Sequence, residues 1–397
     1  MDLQVVHLRV NDAATGKPTP VRIRLTDATG RYYAPLGRLP SAEAILKANP
    51  FHGGNIVLDG KAYAYIDGAC EVLLPAGPIR AEISKGPRYQ PIDQTVERLA
   101  GKMALRFAIT KLGDLQGMVW ADLFTRNLSP KAAALAGAAE GLGYVHLTAE
   151  QTNRGDMILI DDFSGEGFAE CKGDCNVQVG TFNQGGELGS LVLLNAHRVV
   201  YPLRLDQPGF EAYTLHDWCH QAHRKKGVVI ALVAELDCIE VLPNLLLGDV
   251  DGLLDTGQVG DATAISTVCD ALNALEFLFL PMSGSGRSSW TTAIGERGAG
   301  ISVAAVSDGR REEVGEHLFN SRGRIASWRK NGEWWNLAGT RQGAFSAAAV
   351  LGEALNRREL RIHKLDMPDQ RRTALAKVFA EAREALKIRT EQVIQAL

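Results

Sequence analysis

The chain has 397 residues, of which 46% are hydrophobic and 22% are charged, and its formal net charge is −3. These values are ordinary for a soluble globular protein and leave room for two or three domains of roughly 150 residues each. The nearly balanced charge gives no reason to expect a nucleic-acid binder, which would usually show a basic stripe, and no run of about 18 apolar residues predicts a transmembrane helix.

The first residues, MDLQVVHLRV, are typical of a strand and have neither a basic nor an apolar leader segment. We therefore expect no signal peptide in this chain, which leaves the localisation open between a cytoplasmic protein and the mature form of an exported one. The 6 cysteines are sparse for this length, so a disulfide-dependent scaffold is not expected. A single bridge between Cys171 and Cys175 stays open.

Residues 1–110 predict a small β-sandwich. Apolar and polar residues alternate in LQVVHLRV and VRIRLTD, and later runs such as CEVLLPAG and IRAEISKGP are separated by turn residues. Any binding site of this domain is expected in loops such as 36–54, although no residue there compels a function.

Residues 111–325 predict an α/β domain, because strand-like and helix-like segments alternate. Ser129 and Pro130 mark the start of an Ala-rich helix, and VVIALVAE is the apolar kind of strand that parallel sheets bury on both faces. The pattern predicts a parallel sheet or a (β/α) barrel. The acidic stretch GDVDGLLDTGQVGDA is interpreted as a solvated loop.

Residues 326–397 predict a hairpin followed by a helical C-terminal extension. Asn331-Gly332 favours a tight hairpin turn, and two helices follow. In the second helix an apolar stripe recurs at helical spacing over residues 375–397. The stripe either packs on its own domain or binds a protein partner or a second copy of the chain.

Two parts of the chain resemble known families, and within each part the matching segments follow one another in the family's order. DAATGKPTPVRIRLTDATGRYY and LPAGPIRAEISKGPRYQP resemble a carboxypeptidase-regulatory-like or transthyretin-like domain. GDLQGMVWADLFTRNLSPKAAALAGAAEGLGYVHLTA, LLLGDVDGLL and FLPMSGSGRSS are similar to successive segments of PHP-type metallohydrolases of the CehA/McbA group. The resemblance implies a PHP-like fold in which strand-end histidines and carboxylates hold divalent ions.

At the matching positions this chain lacks those ligands. The His-x-His positions of the group fall on Gln116 and Met118, and its Asp-His positions fall on Ala149 and Glu150. A further strand-end histidine position falls on Ala234, and the last motif has Arg287 without its Asp. The resemblance therefore implies a degenerate metal centre and no cofactor.

A polar pocket at the strand ends would replace the metal cluster. We expect catalytic candidates and ligand-pocket residues to meet there, where they would bind a polar or anionic small molecule or run acid–base chemistry. The catalytic candidates are Glu150, Glu235, His197 and Arg287. The pocket candidates are Asp114, Gln116, Met118 and Asn195.

The alternative cofactor is zinc. His216, His220 and His223 share one helix face, and with Cys171 and Cys175 they would complete a tetrahedral site. The competing interpretation is that these histidines pack or face solvent, because the cysteine spacing is looser than the usual motif.

Three hypotheses follow for the function. The first is a PHP/CehA-like pseudoenzyme with a binding or interaction role. The second is a hydrolase (of phosphoesters, esters or amides) or a lyase, with a rebuilt site or a relocated metal. The third is a structural subunit of a larger assembly that uses the sandwich and the helix 375–397 as contact surfaces.

Overall fold

A computed structural model describes residues 3–86, 88–112, 118–255, 262–277, 280–283, 302–304 and 339–397. The strands of the N-terminal third are β1 Gln4–Asp12, β2 Val21–Asp27, β3 Asn55–Leu58, β4 Lys61–Ile66, β5 Ala69–Leu74, β6 Gly77–Ser84, β7 Ile92–Arg98 and β8 Ala104–Ile109. The remaining strands are β9 Met118–Thr125, β10 Tyr144–Gln151, β11 Met157–Ile158, β12 Glu170–Lys172, β13 Cys175–Gln184, β14 Ser190–Leu194, β15 Val228–Leu232, β16 Gly252–Asp255, β17 Leu280–Ser283 and β18 Ser302–Ala304. The helices are α1 Ala42–Lys47, α2 Pro130–Ala139, α3 Leu215–Arg224, α4 Val241–Leu247, α5 Ala262–Ala274, α6 Arg341–Ile362 and α7 Asp369–Ala396.

The chain forms two compact units. The first takes in Met1–Leu147, Phe168–Val179 and Gly284–Arg310, and the second takes in Thr148–Gly167, Gly180–Ser283 and Arg311–Leu397. The prediction of a mixed α/β protein with a helical C-terminal segment is confirmed. The predicted hairpin over 326–337 lies outside the described residues.

In the first unit, two sheets share one apolar core. One has the strand order β5-β1-β8, and the other has the order β3-β4-β2-β6-β7. Strand β1 shows why the alternation folds this way: Val6, Leu8 and Val10 are fully buried, while the residues between them face outward. The same alternation in β2 and β6 fills the other side of that core.

Helix α2 is tied to the strands of the first unit by a buried ion pair. It begins as predicted, because the Ser129 hydroxyl accepts the backbone N–H of Ala132 and Pro130 takes the first helical position. At its other end the Glu140 carboxylate pairs with Arg22 and accepts the Tyr65 hydroxyl at 2.9 Å. This pair of opposite charges, with the Tyr65 hydroxyl, fixes the end of the helix on the sheet.

In the second unit, the sheet is mixed, so the prediction of a parallel sheet is wrong in part. Its order is β17-β16-β15-β14-β13, and β14 runs antiparallel to both of its neighbours. The reason is the connection between β13 and β14: it contains only a short turn at Gly186–Leu188, and a parallel crossover needs a dozen residues or more. The pairs β15–β16 and β16–β17 are parallel, as predicted.

Helices α6 and α7 close the core of the second unit. The predicted apolar stripe is buried: Leu375, Phe379 and Ala382 are fully inaccessible, and α7 packs against α4 and α6. The interpretation that the stripe packs on its own domain is confirmed. These positions are therefore unavailable to the partner that the sequence analysis considered.

Arginines of α6 and α7 bind backbone carbonyls of the earlier chain. Arg358 donates to the carbonyls of Leu236 and Cys238, and Arg371 donates to three carbonyls in the loop before α3. Arg389 donates to the last carbonyls after α5. None of the helices in the described ranges is long and apolar enough to cross a membrane.

Candidate functional site

The predicted strand-end pocket is only partly placed by the structure. Asp114, Gln116 and Arg287 lie outside the described residues, and Met118 is placed only as the first residue of β9. At the end of β10, Ala149 and Glu150 are buried, and the Glu150 carboxylate accepts a hydrogen bond from the Gln184 amide at 3.5 Å.

Glu235 has a structural partner. It lies in the turn Val233–Glu235 that follows β15, and its Oε2 accepts the backbone N–H of Ser190 at 2.5 Å. Burial raises the pKa of this carboxyl, although the bonds from Ser190 oppose the shift. The side chain therefore anchors the start of β14.

His197 also bonds to the backbone. Its backbone N–H donates to the carbonyl of Lys225 at 3.1 Å, and its ring Nδ1 donates to the same oxygen at 2.7 Å. Asn195, two residues earlier, adopts a left-handed backbone with φ 59°. Glu150, Glu235 and His197 thus bond to different groups, and none of the bonds described above joins one to another.

The predicted helical histidines divide between two aspartates. His216 Nδ1 lies 2.7 Å from Asp249 Oδ2, and His220 Nε2 lies 3.4 Å from Asp249 Oδ1. The hydrogen bond to Asp249 raises the pKa of His216, against the effect of burial. His223 instead lies 2.9 Å from Asp251, whose carboxylate also accepts the Val229 N–H at 2.8 Å.

The structure differs from the sequence-based interpretation of the acidic stretch, and it excludes the bridge between Cys171 and Cys175. The acidic stretch is not a solvated loop at its first two aspartates, because the side chains of Asp249 and Asp251 are only 13% and 3% exposed. The bridge left open between Cys171 and Cys175 does not form, because Cys171 stands opposite Asn176 in the β12–β13 hairpin and so faces away from Cys175. Both thiols are free, and burial raises the pKa of Cys175 to about 12.

The first unit contains a cavity of about 600 Å³ at loop 36–54, where the sequence analysis placed any binding site of this domain. Its apolar lining residues are Leu39, Ile45, Leu46, Ala48, Ile56, Val57, Leu128 and Ala136. Its polar lining residues are Arg38, Asn49, His52, Asn55 and Tyr65. The volume and the composition match those of small-molecule pockets.

Arg38 is the cation of this cavity. Its Nε donates to the Tyr65 carbonyl at 3.1 Å, which fixes the plane of the guanidinium. Gly54 has φ 79°, and a Cβ there would lie 2.9 Å from the Arg38 Cζ and Nη1 atoms, so only glycine leaves this space to the guanidinium. Among the described residues no carboxylate pairs with Arg38, which leaves its Nη groups for an anion.

The buried imidazole of His146 was not predicted from the sequence. His146 on β10 is fully inaccessible, and neither ring nitrogen has a hydrogen-bond partner among the residues that the structure describes. Burial alone lowers its pKa to about 3, so it is neutral at physiological pH. The pattern YVHLTA is typical of an ordinary strand, so it does not indicate that the histidine is buried without a partner.

Comparisons with models of protein families, with curated proteins and with solved structures find no match to this chain.

Proposed function

We propose that this chain is a non-catalytic binding protein related to the PHP-type, CehA/McbA-like metallohydrolases, and that its N-terminal β-rich part binds an amphipathic anion. On this proposal the fold is a β-sandwich over 1–110 followed by a PHP-like domain over 111–325. The observation that carries the binding role is the cavity at loop 36–54, with its apolar wall and the guanidinium of Arg38.

The residues at the family's metal positions do not fit a metal cluster. Ala149 and Ala234 carry no donor atom, and Glu235 is engaged by the backbone of β14. A hydrolase with a site rebuilt on Glu150, Glu235 and His197 is not favoured either, since these side chains hold separate structural bonds. No reaction step is therefore assigned to this chain.

The ligand class follows from the lining. An alkyl or aryl body would fill the space between Ile45, Ile56 and Leu128, and removing that apolar surface from water favours binding. A carboxylate or phosphate at one end would pair with the Nη groups of Arg38, whose charge is already oriented by the Tyr65 carbonyl. The exposed His52 at the rim leaves the anionic end access to water.

A calorimetric titration with decanoate and decanol tests this function. We expect decanoate to bind wild-type protein at least about tenfold more tightly than decanol, a difference of about 1.4 kcal/mol, because only the carboxylate pairs with Arg38. The variant Arg38→Met keeps the apolar stem and loses the charge, so it should bind both compounds equally. The control Arg106→Met, on the exposed face of β8, should behave as wild type.

Decanoate that binds Arg38→Met as tightly as wild type would contradict the role of the guanidinium. Absence of binding by both compounds at millimolar concentration would contradict the cavity itself as an amphiphile site.

A further inference from the structure

His216, His220 and Asp249 bring three ligand atoms together in the second unit. These atoms lie within 4.8 Å of one another, and the two imidazole rings have centroids 4.0 Å apart. The side chains are 23%, 53% and 13% exposed, so the cluster is open to solvent on one side and backed by protein on the other.

The local structure fixes the first histidine. Helix α3 begins with a capping box in which Asp217 accepts the N–H of Thr214. The fully buried Glu240 accepts the next two amides, those of Leu215 and His216, at 2.8 and 2.9 Å. His216 therefore projects from a helix start whose backbone donors are satisfied.

Asp249 is fixed from the other side. Helix α4 ends at Gly248, whose left-handed backbone (φ 78°) turns the chain. The N–H of Asp249 then donates to the carbonyl of Asn244 at 2.9 Å. The carboxylate is held against α3 before any ligand arrives, which reduces the entropy lost on binding.

We propose that His216, His220 and Asp249 form a binding site for a divalent transition metal, with zinc as its ion. Histidines four residues apart lie on one helix face, and two imidazoles with one carboxylate suit zinc rather than magnesium or calcium. Bonds of about 2.0–2.1 Å in a tetrahedral site separate ligand atoms by roughly 3.4 Å. The distance between His220 Nε2 and Asp249 Oδ1 is 3.4 Å.

Three protein ligands leave one position of a tetrahedral ion open to water or to an external ligand. To admit the ion, the 2.7 Å hydrogen bond between His216 Nδ1 and Asp249 Oδ2 must open. These two atoms would then separate to roughly 3.4 Å, a change of less than an ångström. His223 is not part of the site, because Asp251 binds it. This composition differs from the sequence-based zinc prediction, which used His223 and the two cysteines.

The competing interpretation is a purely structural pair between His216 and Asp249. It predicts no metal affinity, and it gives His220 no role. A site in the second unit is independent of the cavity in the first, so failure of this proposal leaves the proposed function untouched.

The test is titration of chelator-treated full chain with zinc chloride, followed by calorimetry, and cobalt loading followed by visible absorption. We expect one zinc per chain and the visible bands of tetrahedral cobalt, with no binding of magnesium. His220→Ala and Asp249→Asn should each weaken zinc binding by at least about tenfold and abolish the cobalt bands, because each removes one ligand. His220 is exposed, so its variant should fold as wild type, and metal-free unfolding midpoints check this.

Two controls separate this site from incidental histidine binding. His223→Ala removes the neighbouring helical histidine, and His363→Ala removes the exposed histidine that directly follows α6. Both should bind zinc within about twofold of wild type, because neither contributes a ligand. Zinc binding that is lost equally in His223→Ala, or that is absent from wild type while Asp249→Asn lowers the unfolding midpoint, would overturn the proposal.

Discussion

The variant His146→Leu is expected to be more stable than the wild type, by about 1–3 kcal/mol at pH 7. The imidazole is buried with both nitrogens unpaired, and such groups cost free energy that an apolar side chain of similar size does not. Leucine also suits the apolar strand β10, where Val145 and Leu147 are fully buried.

The difference should widen in acid. The pKa of His146 falls from 6.5 to about 3 on folding, because the folded state disfavours the protonated imidazole. The free energy of unfolding therefore loses nothing to this titration well above the unfolded pKa, and it decreases as the pH falls from there toward the folded pKa. Between pH 7 and pH 5 the wild type should lose about 2 kcal/mol to this group, since the loss approaches about 1.4 kcal/mol per pH unit below the unfolded pKa. The leucine variant should not lose it.

Urea unfolding at pH 7 and pH 5 measures both effects. The control is His7→Leu, which removes an exposed strand histidine and should keep the wild-type dependence on pH. If wild type and His146→Leu lose the same free energy of unfolding between the two pH values, then His146 is not the buried, neutral group described here.

Phe379→Ala is expected to lower the free energy of unfolding by about 3–5 kcal/mol, because it removes a fully buried ring from the contact of α7 with the core. The matched control is Phe345→Ala on α6, whose side chain is 62% exposed and should cost less than about 0.5 kcal/mol. Urea titrations of both variants give the comparison. Equal losses for the two rings would mean that α7 is not packed as described.

The C-terminal helices could be predicted because the spacing of neighbouring residues along the chain is enough to identify them. A stripe at helical spacing gives both the helix and its buried face, and the cap at Ser129 fixed the start of α2 in the same way. The antiparallel direction of β14 was not predicted. The apolar sequence VVIALVAE, which contains β15, indicates that this strand is buried, but it does not indicate the direction of the neighbouring strand β14.

Only the two histidines of the histidine–aspartate cluster could be predicted from the sequence. The spacing of His216 and His220 placed them on one face, but their partner lies 33 residues from His216, across α4. The acidic stretch lacks calcium-loop spacing, so only tertiary packing distinguishes Asp249 from a solvated carboxylate. The cavity could be located at loop 36–54, but its cation could not, because Arg38 owes its place to the Tyr65 carbonyl and to Gly54.

The arginines that join α6 and α7 to earlier carbonyls have a consequence for the chain as it leaves the ribosome. Synthesis proceeds from the N-terminus, and the loop before α3 and the end of α5 are made long before Arg371 and Arg389 exist to bind them. Until α7 has been synthesised, those carbonyls depend on water, and the part of α4 that α7 covers stays exposed. The second unit therefore completes its core only once α7 has been synthesised, whereas the two N-terminal sheets draw their shared core from residues made well before it.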